Sequence, residues 1–449
     1  MGTILPTRRS ARCPRARARL AATTAIAAVA APLLAQPASA QSVRPVLAVP
    51  ASSIVRAQDA GIRAHTNLRF FVPATGGSAA TPFAAAPQFH HNVANESPGS
   101  LACVFGLTSN VKGCRSTQKL AAPTGGSRMI AIVDAYYYPT ALRDITKFSV
   151  TFHLPPITPS NFQVVYADGK RPVQDHTGGW ELEEALDIEM AHALAPGAKI
   201  VLVEARSPLF RDLLKAVDVA GQLVQAAGGG EVSMSWGGAE APTEEMQEKH
   251  FNVPGVVYLA AAGDVPGAEF PAVLSNVVAV GGTGWMRGNQ NADLLFQAAG
   301  NFGGGPSLFV PRPSYQDNIQ SIVGTARGTP DISGYFCTAD AANPAVGCAG
   351  GAWVYDTTPI PVFGVLGWSP VVGTSAATPL AAAIMNNAGH FNVSSAAELQ
   401  EIYNAPAADK AFYDIVTLSC TLSSGQSVPA VKGWDYCTGW GSPSGLLDK

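Results

Sequence analysis

The sequence predicts an α/β domain in which a central, mostly parallel sheet is covered by helices on both faces. Short apolar runs rich in β-branched residues alternate with helical patterns, the signature of strands linked by helical crossovers. Glycine and proline are abundant, 45 and 34 of 449 residues, which implies long loops between those elements. About 409 residues would remain after removal of an N-terminal export segment, large for a single core but within reach of a loop-rich α/β enzyme.

Residues 1–40 read as a secretory signal, with six arginines and no acid before Leu20. An alanine-rich apolar run follows from Leu20 to Ala35, and Ala38-Ser39-Ala40 precedes Gln41 as a cleavage site. The chain is expected to be exported, periplasmic or extracellular, after cleavage near Ala40. Arg8-Arg9 has the form of a twin-arginine signal, but the residues after the pair are not the hydrophobic ones such signals favour. The apolar run is too short for a stable membrane anchor.

Residues 41–100, rich in Ala, Pro, Ser and Gly, read as a short leader whose ordered piece lies at Thr66 to Val72. Residues 101–449 form the main domain. Its predicted strands are Met129 to Val133, Phe162 to Tyr166, Lys199 to Val203, Glu231 to Trp236, Gly255 to Ala261 and Val277 to Val280. Helices are predicted at Thr140 to Phe152, Glu181 to Leu194 and Leu209 to Ala227. Loops are expected to dominate from Gly300 to Pro370, and the stretch from Ala396 carries a helix and then a compact loop system.

Loss of the export segment removes six of 29 basic residues and none of the 32 acidic ones, leaving a formal charge of −9. Such an acidic protein is a poor partner for nucleic acid or anionic lipid. Cys13 lies in the signal, and the other six cysteines fall in near pairs: Cys103 with Cys114, Cys337 with Cys348, Cys420 with Cys437. Proximity alone selects these three disulfides among fifteen connectivities, and each small loop would stabilise by roughly 3 kcal/mol. No Cys-x-x-Cys spacing argues for zinc.

The heptapeptide Gly373-Thr374-Ser375-Ala376-Ala377-Thr378-Pro379 precedes the apolar run Leu380 to Met385 and presents Ser375 at the mouth of a helix. A hydroxyl is a weak nucleophile without a base. No histidine sits in a partner motif: His192 follows Glu183 by nine residues on the same predicted helix, roughly 180° round its axis. It reads as a packing residue, which disfavours a triad of Asp134, His192 and Ser375. Glu183 and Asp187, at i and i+4, share one helix side next to the stripe Leu182, Leu186 and Met190. From spacing alone the simpler reading is a solvated acidic face, and it suits Glu181 and Glu184 near the helix start well.

Four motifs in matching order change that balance. Glu183-x-x-x-Asp187 leads into Ala195-Pro196-Gly197-Ala198-Lys199-Ile200; then come Ser233-Met234-Ser235-Trp236-Gly237, Ala262-Gly263-Asp264 and Gly373-Thr374-Ser375. Together they resemble the sedolisins, the serine-carboxyl peptidases, from about Ser100 to Lys449. The resemblance implies a subtilisin-like, three-layer fold. It makes Ser375 the nucleophile, Glu183 the general base and acid, and Asp187 its hydrogen-bonded partner. Asp264 becomes a protonated oxyanion donor, Asp134 a support for the base, and Ser235, Trp236 and Gly237 the edge that pairs with substrate. Two carboxyls sharing a proton titrate as a coupled pair, so activity at acidic pH is expected.

The resemblance also implies a calcium site in the C-terminal loops, built from the carboxylates of Asp414 and Asp435 and the carbonyls of Ile415, Gly433 and Val431. Calcium takes such hard oxygen ligands. Two departures stand out. Val372 occupies the place of a usual serine, and roughly 60 residues of leader are too few for the large folded prodomain these peptidases carry. The expectation is a secreted, monomeric endopeptidase acting on proteins or peptides. Its rivals are a tripeptidyl exopeptidase of the same family and an inactive binding protein on the same fold.

Overall fold

The computed structural model describes residues 46–72, 95–108, 112–116, 120–288, 292–342, 347–361, 363–404 and 410–446. The expected export segment, 1–40, lies outside them. Three short strands come first: β1 (Val46–Ala48), β2 (His65–Thr66) and β3 (Arg69–Val72). The ordered piece expected at Thr66 to Val72 thus forms strand, with Leu68, Phe70 and Phe71 buried. Helix α1 (Pro98–Val104) starts at a reciprocal capping box between Ser97 and Ser100.

The central layer follows. Its elements are β4 (Met129–Ala135), α2 (Ala141–Phe152), β5 (Phe162–Tyr166), α3 (Gly179–Leu194), β6 (Lys199–Ala205) and α4 (Phe210–Ala226). They continue through β7 (Gly230–Met234), β8 (Trp236–Ala239), β9 (Val256–Ala261), β10 (Glu269–Phe270), β11 (Val278–Arg287) and β12 (Leu294–Ala298). Beyond lie β13 (Gly305–Pro311), α5 (Gln320–Val323), β14 (Ala326–Thr329), β15 (Ile332–Asp340) and β16 (Cys348–Gly350). Strands β17 (Ala352–Ile360) and β18 (Gly364–Val372) precede α6 (Thr374–Ala388) and α7 (Ser395–Asn404).

A nine-stranded sheet runs β16-β15-β11-β9-β7-β4-β6-β5, with β12 also paired to β11. Its interior pairs are parallel, and antiparallel pairing is confined to β12 and β16. The period-2 alternation of a strand explains the layering. Ile130 and Ile132 of β4, with Ile200 and Leu202 of β6, pack in one core with α3 and α6. Ala131, Val133, Val201 and Val203 point the other way, into a core with α4. The three-layer α/β expectation holds.

Two predicted features differ. The strand foreseen from Glu231 to Trp236 is broken at Ser235 into β7 and β8, so that β8 leaves the central sheet and pairs with β2 and β10. The stretch read as loops after Gly300 instead contains β13 to β18, and β17, β18, β3 and β1 form a separate antiparallel sheet. Its prolines misled the reading: the β17–β18 register shifts between Asp356 and Pro359, the kind of irregularity that admits proline in a strand. The three disulfides join the cysteines paired by proximity.

A buried ion pair ties the segment leading into α1 to β11. Arg287 donates from Nε to Glu96 Oε1 at 2.6 Å and from Nη2 to Oε2 at 2.7 Å, and Thr338 and Ser100 hydroxyls complete the carboxylate's partners. Removing one member leaves the other charge uncompensated. Arg287→Met is expected to cost about 3–5 kcal/mol in urea unfolding near neutral pH. The double variant Glu96→Leu/Arg287→Met should recover most of that loss; an additive further loss would contradict this account.

Candidate active site

Helix α6 is built to present Ser375. Gly373, at φ 144, turns the chain out of β18, and a Cβ there would stand 2.0 Å from the carbonyl oxygen of Asn67, so only glycine fits. Pro379 has no N–H to return to the carbonyl of Ser375 four residues earlier. The Ser235 hydroxyl donates to that orphaned oxygen at 3.2 Å, which locks the break between β7 and β8 against the first turn of α6. The Ser375 hydroxyl donates to the carbonyl of Ser235 at 2.9 Å.

Helix α3 lies beside α6 and is buried along all sixteen residues. This overturns the solvated-face reading of Glu181 and Glu184, both of which are fully buried. Packing of α3 between the sheet, α6 and β17 covers every side, which the acidic composition of the helix did not suggest. Glu183 and Asp187 occupy the face toward Ser375 and Ser235. Burial, then Asp187, then Asp134 push the Glu183 carboxyl well above the usual range, and the nearby Ser375 hydroxyl draws it partly back. Burial likewise raises Asp187, opposed by hydrogen bonding with the Ser235 side chain. No oxygen of either carboxyl has a hydrogen bond of ordinary geometry, so the two stand poised rather than satisfied.

Asp134, near the end of β4, is fully buried and belongs to the same group. Burial, Asp187 and Glu204 raise its pKa. Trp236 donates from Nε1 to the carbonyl of Val133 at 2.8 Å and so holds β8 against this strand end. Glu204, which the sequence reading passed over, is pushed up to about 8 by burial, and Glu181 to about 9. The groups acting most strongly on this cluster are other carboxyls. His192 faces away, with Nε2 3.1 Å from the carbonyl of Pro155, and burial lowers it to about 4.

Asp264 closes the opposite side of the helix mouth. Its Oδ1 accepts from Thr374 N at 2.8 Å and from Thr374 Oγ1 at 3.0 Å. Its Oδ2 is buried without a partner, and burial lifts the carboxyl to about 7 despite the two Thr374 bonds. A neutral acid there has one hydroxyl to offer. Val372 packs with Phe71, Phe336 and Cys337.

Asn67 has no local motif to mark it as part of this site. It links β2 to β3 and lies directly over Ser375: its N–H reaches Ser375 Oγ at 3.2 Å and the Ser235 carbonyl at 3.3 Å. Its carbonyl oxygen accepts from the Ser375 N–H at 3.2 Å. On one side His65 and Thr66 pair antiparallel with Gly237 and Trp236; on the other, Arg69 and Phe70 pair with Val372 and Val371. An extended segment of the chain itself therefore crosses Ser375.

The C-terminal candidates also converge. Asp414 Oδ2 accepts from Gly433 N at 3.0 Å and Asp435 Oδ2 from Val431 N at 2.9 Å, so both carboxylates lie against the segment 431–433. Ile415 is buried beside the Cys420–Cys437 bridge. Gly433 has φ 84 and no atom within 4 Å of where a Cβ would stand. Among the described residues no group of three or more His, Cys, Asp or Glu side chains gathers as a metal site.

The carboxyl cluster makes stability depend on protons. Folded-state values lie above unfolded ones, so the folded chain holds more protons between about pH 4 and the folded values near 7 to 9. Stability is fully present below about pH 4 and is lost as pH rises through those values. For Asp264 alone, raised from 3.8 to about 7, the loss is on the order of 4 kcal/mol. Thermal melts should give the highest midpoint near pH 4 and a continuous fall to pH 9; a midpoint that rises across that interval would refute the assignment.

No family model matches the chain. Kumamolisin of Bacillus sp. (strain MN-32) is 30% identical over 322 residues, 63% of this chain and 53% of kumamolisin. Tripeptidyl-peptidase 1 of Macaca fascicularis is 31% identical over 192 residues, 39% of this chain and 31% of that protein. The chain thus spans about half the length of the first relative and about a third of the second. The structure of Pseudomonas sedolisin, a serine-carboxyl proteinase complexed with two molecules of pseudo-iodotyrostatin, superposes with a TM-score of 0.58 at 22% identity, over 78% of this chain and 96% of that one. The fold is shared with sedolisin, and over 63% of its length the chain is similar in sequence to kumamolisin.

Proposed function

We propose that the protein is a serine-carboxyl endopeptidase that hydrolyses peptide bonds at acidic pH. The observation that carries this reading is the strand over Ser375. It runs extended past the nucleophile on both sides, along β8 before Asn67 and along β18 after it. A cleft that accepts chain on both sides suits cleavage inside a polypeptide, whereas an exopeptidase needs one end closed.

In the proposed reaction Ser375 Oγ attacks the carbonyl carbon of the scissile bond while Glu183 takes the hydroxyl proton. Rotation of the Ser375 hydroxyl from the Ser235 carbonyl toward Glu183 precedes this step. Glu183 and Asp187 share one proton, which leaves a single negative charge to act as base. The developing oxyanion receives hydrogen bonds from the Ser375 N–H and from protonated Asp264. Collapse breaks the C–N bond, and Glu183 returns its proton to the departing amine. Water then attacks the acyl ester, Glu183 again takes a proton, and Ser375 is regenerated with release of the acid product. Asp134 supports the pair from behind, and the edge Ser235-Trp236-Gly237 binds substrate by strand addition.

Calcium fits the C-terminal loop: two carboxylates and a bend opened by Gly433 supply hard oxygens. Asp414, Asp435 and the carbonyls of Ile415, Gly433 and Val431 would hold it, and its chemistry there is structural. The signal-like segment 1–40 and the three disulfides support an exported protein. Among the described residues no helix is long and apolar enough to cross a membrane. A monomer with residues 101–449 as the peptidase domain completes the proposal.

Denatured casein should be cut at pH 4 and not at pH 8, since protonated Asp264 is lost as pH rises through about 7. Ser375→Ala and Glu183→Gln should each lower the rate by about 10³-fold or more. Cleavage that survives Ser375→Ala would end the proposal. Separately, a chelator should lower the melting midpoint, and Asp414→Asn should abolish that response; a midpoint indifferent to chelator would remove calcium from the account.

A further inference from the structure

Between the Asp264 turn and the C-terminal loops runs a strap of backbone, residues 299–305, that takes no part in the proposed reaction. It ends in three consecutive glycines, Gly303, Gly304 and Gly305, with φ of 83, 101 and 146. A Cβ on Gly303 would stand 2.5 Å from the carbonyl oxygen of Ala262 and 2.6 Å from that of Gly263, the two residues that lead into Asp264. Gly304 and Gly267 exchange both backbone hydrogen bonds, at 2.8 and 3.2 Å. The strap thus holds the Asp264 turn at both ends, by close approach before it and by pairing after it.

The far side of the strap is fixed as well. Ala299 N–H donates to the carbonyl of Thr417 at 3.0 Å, and the Asn301 side-chain oxygen accepts from Thr421 N at 2.7 Å. A Cβ on Gly304 would stand 2.3 Å from the carbonyl oxygen of Tyr436. Phe302 stacks on Phe336 with ring centroids 4.0 Å apart, and the Phe336 carbonyl accepts from Gly373 N at 3.1 Å. One strap therefore reaches both the turn of Asp264 and the turn that opens α6. Thr374 fixes Asp264 Oδ1, but Oδ2 is buried without a partner, so the backbone of the turn decides where Oδ2 points.

We infer that Gly303 is a positioning residue: through the strap it belongs to, it holds the Asp264 carboxyl at the right separation from the Ser375 N–H, the gap in which the oxyanion forms. This goes beyond the peptidase reading and rests on it. A donor displaced by about 1 Å can cost roughly 10²-fold in rate. A methyl at Gly303 meets main-chain oxygens, which no side-chain rotation can clear, so the Asp264 turn itself must move. The charged groups facing Asp264 are Arg69 of β3, Glu269 of β10 and Glu183 of α3, and none of them lies on the strap. A turn pushed outward brings water to a carboxyl that burial holds at about 7, and its pKa falls.

The test uses the full chain and an internally quenched peptide, with kcat and KM read from pH 3 to pH 8. Gly303→Ala should lower kcat about 10-fold or more, leave KM within about 3-fold, and move the alkaline limb of the profile to lower pH. Gly425, in the surface turn from Leu422 to Gln426, has the same φ of 83 with nothing within 4 Å of a Cβ, so Gly425→Ala matches the backbone strain without the collision. It should leave kcat, KM and the limb unchanged. In an Asp264→Asn background Gly303→Ala should cost less than about 3-fold, because the carboxyl it positions is gone. An equal loss in both backgrounds, a loss confined to KM, or the same loss from Gly425→Ala overturns the inference. Asn301→Ala frees one anchor of the strap with no collision and should move kcat and the limb in the same direction by less. Where Gly303→Ala fails to fold, an Asn301→Ala protein identical to wild type overturns the inference. An Asp264→Asn protein as active as wild type also overturns it, while the peptidase reading stands. No cleavage of casein or peptide by the wild-type chain overturns both.

Discussion

An ionised carboxylate is not buried without a counter-charge, and around Ser375 the counter-charges are protons. Helix α3 sinks Glu181, Glu183, Glu184, Asp187 and Glu189 into the interior, and β4 and β6 add Asp134 and Glu204. Two other parts of the molecule solve the same problem differently. Glu96 is gripped by Arg287, and Asp331 by Arg327 at 2.6 Å, each through two hydrogen bonds from a guanidinium. The fold therefore uses buried arginine where charge is to be permanent and withholds it where charge is to move. Folding of this region therefore depends on keeping those carboxyls protonated.

The second constraint is steric. Ser375 sits where a β18 turn, the break between β7 and β8, and the strand at Asn67 all approach the mouth of α6. Gly373 permits the contact with Asn67, and Pro379 frees the Ser375 carbonyl for Ser235. Neither residue touches a reacting atom through its side chain. They set where the Ser375 hydroxyl stands relative to the carboxyls of α3.

Much of this was legible in the residues themselves. The alternation of apolar runs with helical patterns located the parallel strands, because strands buried on both faces read as continuous apolar segments. Close spacing of cysteines marked the disulfides. The site motifs were visible because they are contiguous: Gly373-Thr374-Ser375 spans the cap and first turn of α6, and Glu183-x-x-x-Asp187 lies within α3. What escaped depended on contacts between distant segments. Glu181 and Glu184 look solvated until α6 and β17 cover them, and β17 and β18 look like loops because their prolines suit an irregular antiparallel pair. Asn67 carries no local signal, since its meaning arises only where β2 and β8 meet α6.

Strand β2 has a further consequence because it belongs to the chain it covers. A tethered segment meets its site at an effective concentration in the millimolar range, set by the length and stiffness of its connections. A free peptide at micromolar concentration is outnumbered about a thousandfold by this resident competitor. A peptide approaching Ser375 along β8 and β18 would have to displace the pairing of His65 to Arg69 with those strands.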